Sequence, residues 1–336
     1  EDLPGPWTVI GESAAGRPFT GKVAPGEATR IFTGAAMPEG ADTVMVQEEA
    51  ERDGATLILA GEGPPMLGRN TRRKGLDFST GTRLIAVGDR LSPARIAVAA
   101  TGGHGSLTVN RRVRVAVAAT GDELVPPGST IDGVALPESN GIMLAAMLAD
   151  MPVDIVDLGI LPDNLDRLRE AFASVEADLL VTTGGASVGD HDLVQSALRT
   201  RGLELGFWRV ALRPGKPLMH GRLGRMAVLG LPGNPVSALV SWLFLGGAVV
   251  AALEGRPFRR RMGCPIRVAS RFERRPGRTE FAPARLVLDV HGPEADILGK
   301  GGSARLRPLV EADGLVEIHP LHAPVERGSI VAYHPF

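Results

Sequence analysis

Val113-Arg114-Val115-Ala116-Val117-Ala118-Ala119, followed at once by Thr120-Gly121-Asp122-Glu123-Leu124, is the stretch on which the reading of this chain turns. A short apolar run bounded by turn residues predicts a buried strand that leaves its sheet at Gly121. The pattern recurs downstream. Residues 142–148, 165–175, 192–198 and 236–253 read as helices, alternating with strands at 153–158, 178–183 and 226–231. Such alternation predicts an α/β domain over 111–257, a mostly parallel sheet covered by helices on both faces. Asn234 before Pro235 predicts a helix start, with the Asn234 side chain as its cap and then a Pro that lacks only an N–H the first turn leaves unpaired anyway. Asp163 is expected to cap the helix beginning near Asn164, and Ser139 or Asn140 the helix that follows them.

Outward from this core the texture changes. Residues 1–71 carry short runs (7–10, 30–32, 43–46, 56–59) between Gly and Pro, which predicts a small β module. Residues 72–110 open on Arg72, Arg73 and Lys74 and contain a helix-compatible stretch at 93–100. They read as a linker segment belonging to a domain whose remainder lies elsewhere. Residues 258–336 predict a second β domain, with strands at 265–270, 280–288, 314–318 and 329–333.

Composition bounds the function. The chain has 336 residues, more than one hydrophobic core usually serves, and its 44% hydrophobic and 22% charged content excludes disorder. Net charge is −1, from 37 basic and 38 acidic residues, so no global field draws nucleic acid or an anionic membrane. Cys264 is the sole cysteine; this excludes a disulfide framework and a cysteine-rich metal site, and fits the cytoplasm. The apolar stretch 236–253 is interrupted by Ser237, Ser241, Gly246 and Gly247 and reads as a core helix rather than a membrane span. The chain begins at Glu1 without a signal-peptide pattern, so its numbering is expected to start inside a longer protein.

Ligands of an open α/β sheet collect at the carboxyl ends of its strands, where helix N-termini favour anions. The distinctive strings fall there: the Thr120–Leu124 string, Thr183-Gly184-Gly185-Ala186-Ser187-Val188-Gly189-Asp190-His191-Asp192, and Leu231-Pro232-Gly233-Asn234-Pro235-Val236-Ser237. The glycine loop allows close backbone approach to a phosphate or a pterin, although a tight strand-to-helix turn needs the same glycines. It is neither a Walker loop nor a dinucleotide fingerprint. Arg209, Arg213 and Lys216 flank a Pro- and Gly-stiffened Arg213-Pro214-Gly215-Lys216-Pro217 turn, which suits a tetrahedral oxyanion better than a solvated strand end would. Asp77, Glu123, Asp163 and Asp192 are loop carboxylates of the kind that accompany Mg²⁺ and phosphoanhydrides. The seven histidines show no zinc-ligand spacing, and no nucleophile elbow is present.

Taken in order, these strings resemble the molybdopterin molybdenumtransferase family, which includes bacterial MoeA and the E domain of gephyrin. The match runs through Ile31-Phe32-Thr33-Gly34-Ala35, Arg73-Lys74-Gly75-Leu76-Asp77, the Thr120–Leu124 string, Glu138-Ser139-Asn140, the glycine loop, the basic turn, residues 231–237, Gly277-Arg278-Thr279-Glu280-Phe281 and Gly302-Ser303-Ala304-Arg305-Leu306. The resemblance implies an elongated homodimer built from a MogA-like α/β domain, a β module, a linker domain and a C-terminal β-barrel, with a site between protomers. It implies insertion of molybdate into adenylylated molybdopterin with release of AMP, and an upstream molybdopterin adenylyltransferase as a partner. Asp77, Glu123, Asp163 and Asp192 match catalytic acids, with Glu123 and Asp192 on Mg²⁺. Positions matching substrate contacts are Thr33, Ser139, Asn140, Gly184, Gly185, Ser187, Arg209, Arg213, Lys216, Pro232, Gly233, Asn234, Ser237, Arg278 and Ser303. Arg209 and Arg213 stand where many relatives carry lysine, and the family's opening segment is absent from this sequence. Two other readings compete: a molybdopterin adenylyltransferase, which would consume ATP without molybdate, and a gephyrin-like scaffold, which would carry further modules.

Overall fold

In a computed structural model of the chain, the described residues are 5–185, 193–258, 260–299 and 302–336. The chain divides into two compact units, residues 1–84 and 85–336. The first holds a four-stranded sheet in the order β2-β1-β4-β3, with β1 at Trp7–Ser13, β2 at Glu27–Ile31, β3 at Ala50–Asp53 and β4 at Thr56–Leu59. The strand expected at 43–46 is instead coil, tied to the chain by Val44 N–H donating to the Arg69 carbonyl. Its place is taken by β3, a charged edge strand whose Ala-Glu-Arg-Asp sequence carries no apolar alternation to read.

The second unit opens with α1 (Pro93–Thr101), capped by the Ser92 hydroxyl accepting from Arg95 N–H. The chain then forms β5 (Val113–Thr120), β6 (Leu124–Val125), β7 (Leu136–Pro137), α2 (Asn140–Ala149), β8 (Val153–Leu161), α3 (Leu165–Ala173), β9 (Leu179–Thr183) and α4 (Leu193–Arg199). After these come β10 (Glu204–Trp208), β11 (Leu212–Arg213), β12 (Met219–Leu223), β13 (Met226–Leu231), α5 (Pro235–Ser241) and α6 (Gly247–Leu253). The central sheet runs β10-β12-β13-β9-β5-β8. The four strands read from the sequence are mutually parallel, while β12 is antiparallel to both neighbours and makes the sheet mixed. Side chains alternate across it. Val113, Val115 and Val117 face α2, α5 and α6 in one core, whereas Ala116 packs with Leu168, Phe172 and Leu198 in the other. Helices therefore cover both faces.

Three capping expectations are corrected. Asn234 takes the cap position of α5, but its side chain makes no capping hydrogen bond. Because α3 begins at Leu165, its cap is Asn164 and not Asp163: the Asn164 carboxamide oxygen accepts from the Asp166 and Arg167 N–H groups at 3.1 and 3.0 Å. Ser139 occupies the cap position of α2 without a side-chain bond, and the Glu138 carboxylate accepts from Gly141 N–H at 2.7 Å instead. α5 and α6 join through a π-helical turn, Trp242–Gly246, into one helix long and apolar enough by composition to span a membrane. Val236, Ala238, Val240, Trp242, Val250 and Ala251 on it are buried in the protein core.

The chain ends in β14 (Cys264–Val268), β15 (Thr279–Asp289), β16 (Gly292–Ile297), α7 (Arg307–Val310), β17 (Gly314–Ile318) and β18 (Ile330–Pro335). Pairing runs β15-β16-β14-β18-β17 and back to β15, which closes a five-stranded barrel around Val268, Ala284, Ala295, Val316 and Tyr333. β11, from the α/β segment, pairs in parallel with β15.

Candidate functional site

Strands β5, β9 and β13 end together at Thr120, Thr183 and Leu231. Beyond Thr183 the backbone turns through Gly184 and Gly185, both at positive φ (87° and 62°). A Cβ on Gly184 would collide with the Thr120 carbonyl oxygen, and one on Gly185 with the Val194 side chain. Only glycine lets the loop lie this close over both elements. The Leu231–Pro235 turn runs alongside, since a Cβ on Gly233 would stand 3.5 Å from Gly184 Cα. Asn140, at 8% exposure, donates to the Gly233 carbonyl at 2.7 Å, and its own buried carboxamide oxygen has no partner among the described residues. Ser139, Asn140, Gly184, Gly185, Pro232, Gly233 and Asn234 are thereby brought to one end of the sheet. Ser187, Asp192 and His191 lie outside the described residues.

Two of the expected acids meet nearby. Asp163 N–H donates to the Asp122 carboxylate at 2.9 Å. The Asp163 carboxyl is held above its ordinary range by burial first and then by the charges of Asp122 and Glu123, which a hydrogen bond from the Asp122 backbone offsets only in part. The Glu123 side chain folds back against Gly121, and the Glu123 carbonyl accepts from Leu136 N–H at 2.7 Å, which anchors the β6–β7 ribbon beneath it. Among the described residues no group of three His, Cys, Asp or Glu side chains is arranged to hold a metal.

The basic turn opens onto a cleft of about 340 Å³ between α5 and the barrel. Arg213, Lys216, Pro232, Asn234, Ser237, Arg278 and Ser303 all line it. Three contacts bring these distant residues together. Leu212 and Arg213 pair with Thr279 and Glu280, lacing the turn to the barrel. The Ser303 carbonyl accepts from Val236 N–H at 3.1 Å, docking its loop on the start of α5. Gly215 packs so closely on Ser241 that a Cβ would stand 2.8 Å from its hydroxyl oxygen. Arg278 donates to the Leu212 carbonyl at 3.2 Å, and Arg213 Nε lies 3.4 Å from the Glu280 carboxylate. Lys216 is exposed and forms no ion pair among the described residues.

Arg209 does not line this cleft. The Arg209 guanidinium lies 4.7 Å over the Trp208 ring. Thr33 and Asp77 are exposed residues of the first unit, Thr33 in the turn after β2. Conversely, sequence reading passed over Glu280 and Arg305, which line the cleft, and Asp122 beside Asp163. Glu280 and Arg305 each stood within a motif already quoted, and only the fold separates lining residues from their neighbours.

Comparison with known proteins agrees with this architecture. Residues 2–103 match the MoeA N-terminal region (domain I and II), 116–251 a probable molybdopterin binding domain, and 265–336 the MoeA C-terminal region (domain IV). A molybdopterin molybdenumtransferase from Haemophilus influenzae is 32% identical over 333 residues, covering 98% of this chain and 82% of its own length. Molybdopterin molybdenumtransferase 2 from Mycobacterium tuberculosis is 34% identical over 321 residues, covering 90% and 76%. A solved structure of the molybdopterin biosynthesis MoeA protein from Pyrococcus horikoshii superposes with a TM-score of 0.75 at 28% identity, covering 99% of this chain and 81% of its own. The chain belongs to the molybdopterin molybdenumtransferase family.

Proposed function

We propose that this chain inserts molybdate into adenylylated molybdopterin and releases AMP, the final step of molybdenum cofactor assembly. The observation that carries this reading is the cleft, where Arg213, Lys216, Arg278 and Ser303 gather beside the glycine loop and the Leu231–Pro235 turn. The names of the relatives support it, and the matched regions on both sides of the α/β domain disfavour a simple adenylyltransferase.

In this reading the glycine loop, Ser139, Asn140, Gly233 and Asn234 hold the adenylylated pterin, while the cleft cations offset the two negative charges of molybdate. A molybdate oxygen attacks the AMP phosphorus and the bridging oxygen leaves on the pterin phosphate, so one P–O bond forms as another breaks; the dithiolene sulfurs then bind molybdenum as its bond to the AMP oxygen breaks, which releases AMP and returns the thiol protons to water. Glu123, with Asp192, would hold Mg²⁺, which neutralises phosphate charge. Burial first, and then the charges of Asp122 and Glu123, raise the Asp163 carboxyl, and a cation on Glu123 would relieve that repulsion. Thr33 and Asp77 are further functional positions, and Arg209 a peripheral one. The enzyme works in the cytoplasm as a homodimer, receiving its pterin from an adenylyltransferase. Its parts are a β module at 1–71, a linker segment at 72–110, the α/β domain at 111–257 and the barrel at 258–336.

Supplying adenylylated molybdopterin, molybdate and Mg²⁺ to the protein and following AMP tests the reading. AMP release that requires molybdate and stops on chelation of Mg²⁺ is expected; no AMP, or ATP consumption without molybdate, sinks it.

A further inference from the structure

Arg274 does not line the cleft, yet it touches two of the segments that build it. Its side chain is 1% exposed and lies against Glu280 in an ion pair. Nε donates to the Glu280 carboxylate at 2.9 Å, Nη1 to the His319 and His322 carbonyls at 2.7 and 2.9 Å, and Nη2 to the Arg278 carbonyl at 2.5 Å. The other Glu280 oxygen faces Arg213 Nε at 3.4 Å. One buried guanidinium thus grips the backbone of one cleft arginine, the carboxylate facing another, and a barrel loop.

We propose that Arg274 is a positioning residue of the oxyanion cleft, holding Arg278 through its carbonyl and Arg213 through Glu280. This rests on the reading of the cleft as the molybdate site. A planar fork with five N–H donors can serve acceptors in several directions at once, whereas a lysine ammonium cannot span them. Arg274→Lys therefore keeps the charge of the region and removes the geometry, so any loss of anion affinity reports position rather than field strength.

The test is molybdate binding to the whole chain by equilibrium dialysis, alongside AMP-release kinetics. Arg274→Lys is expected to weaken molybdate binding about tenfold and raise its KM to match, with kcat and the pterin KM changed by less than about twofold. The loss should persist in a Lys216→Gln background and shrink in an Arg278→Gln background, because Arg274 holds Arg278 and makes no contact with Lys216. Unchanged affinity in folded Arg274→Lys, or equal loss in both backgrounds, overturns the proposal. If that variant fails to fold, Glu280→Asp decides: it keeps the buried charge but draws it away from Arg213, and unchanged molybdate affinity again overturns the proposal. A wild-type chain that binds no molybdate overturns the reading of the cleft and this inference together, whereas wild-type binding that the variants leave intact overturns the inference alone.

Discussion

A Cβ at Gly184 has nowhere to go, because the Thr120 carbonyl occupies its place and φ is 87°. Gly202 shares a positive φ of 90° but has open space around it. Gly202→Ala should therefore cost about 1 kcal/mol, the strain of the backbone alone, and Gly184→Ala at least about 3 kcal/mol, as measured by denaturant unfolding. Equal costs would mean the loop yields without effort. Asp163 carries a signed pH prediction. Its folded carboxyl binds its proton more tightly than the unfolded one, so the protein loses stability as pH rises from the unfolded value of 3.8 through the raised folded value. Asp163→Asn should be more stable than wild type at neutral pH, and the gap should close below about pH 4. A gap that stays constant with pH would contradict it. At this scale the glycine loop was legible, since its residue types state their own constraint. The partners of Asp163 were not, because Asp122 and Glu123 reach it only once β5 and β8 lie side by side.

The long helix from Pro235 to Leu253 illustrates what elements add. Its apolar sequence announces a core helix, but not the π-helical turn at Trp242–Gly246. Gly246 lies directly under the Trp242 ring, where a Cβ would overlap ring carbons. Gly246→Ala should displace this buried ring and cost about 1–3 kcal/mol in chemical denaturation; a neutral result would show that the ring has room to shift. The strands β10 and β12 escaped the sequence reading because Gly206, His220, Gly221 and Arg222 break the apolar alternation. Hydrogen bonding to β13 holds β12 in the sheet regardless. Asn164 displaced Asp163 as a cap through a shift of one residue in the helix start, finer than periodicity resolves.

Across the second unit, the α/β domain and the barrel are joined by aromatic packing as well as by β11. Phe244 stacks on Phe281 with ring centroids 3.9 Å apart and meets the edge of His334 at 4.9 Å. Phe244→Ala should cost about 2 kcal/mol and uncouple the two, so that calorimetry resolves a barrel transition from that of the α/β domain. A single transition that merely moves to lower temperature would argue that the β11 pairing alone keeps them cooperative. Periodicity by itself determined the strand and helix alternation of 111–257, the glycine loop and the basic turn, because each is written in contiguous residues. Barrel closure, the meeting of Arg213 and Lys216 with Arg278 and Ser303, and the grip of Arg274 on the cleft were decided only by tertiary structure. They depend on hydrogen bonds and packing between segments far apart in the chain, and local residue preference carries no record of which distant partner completes them.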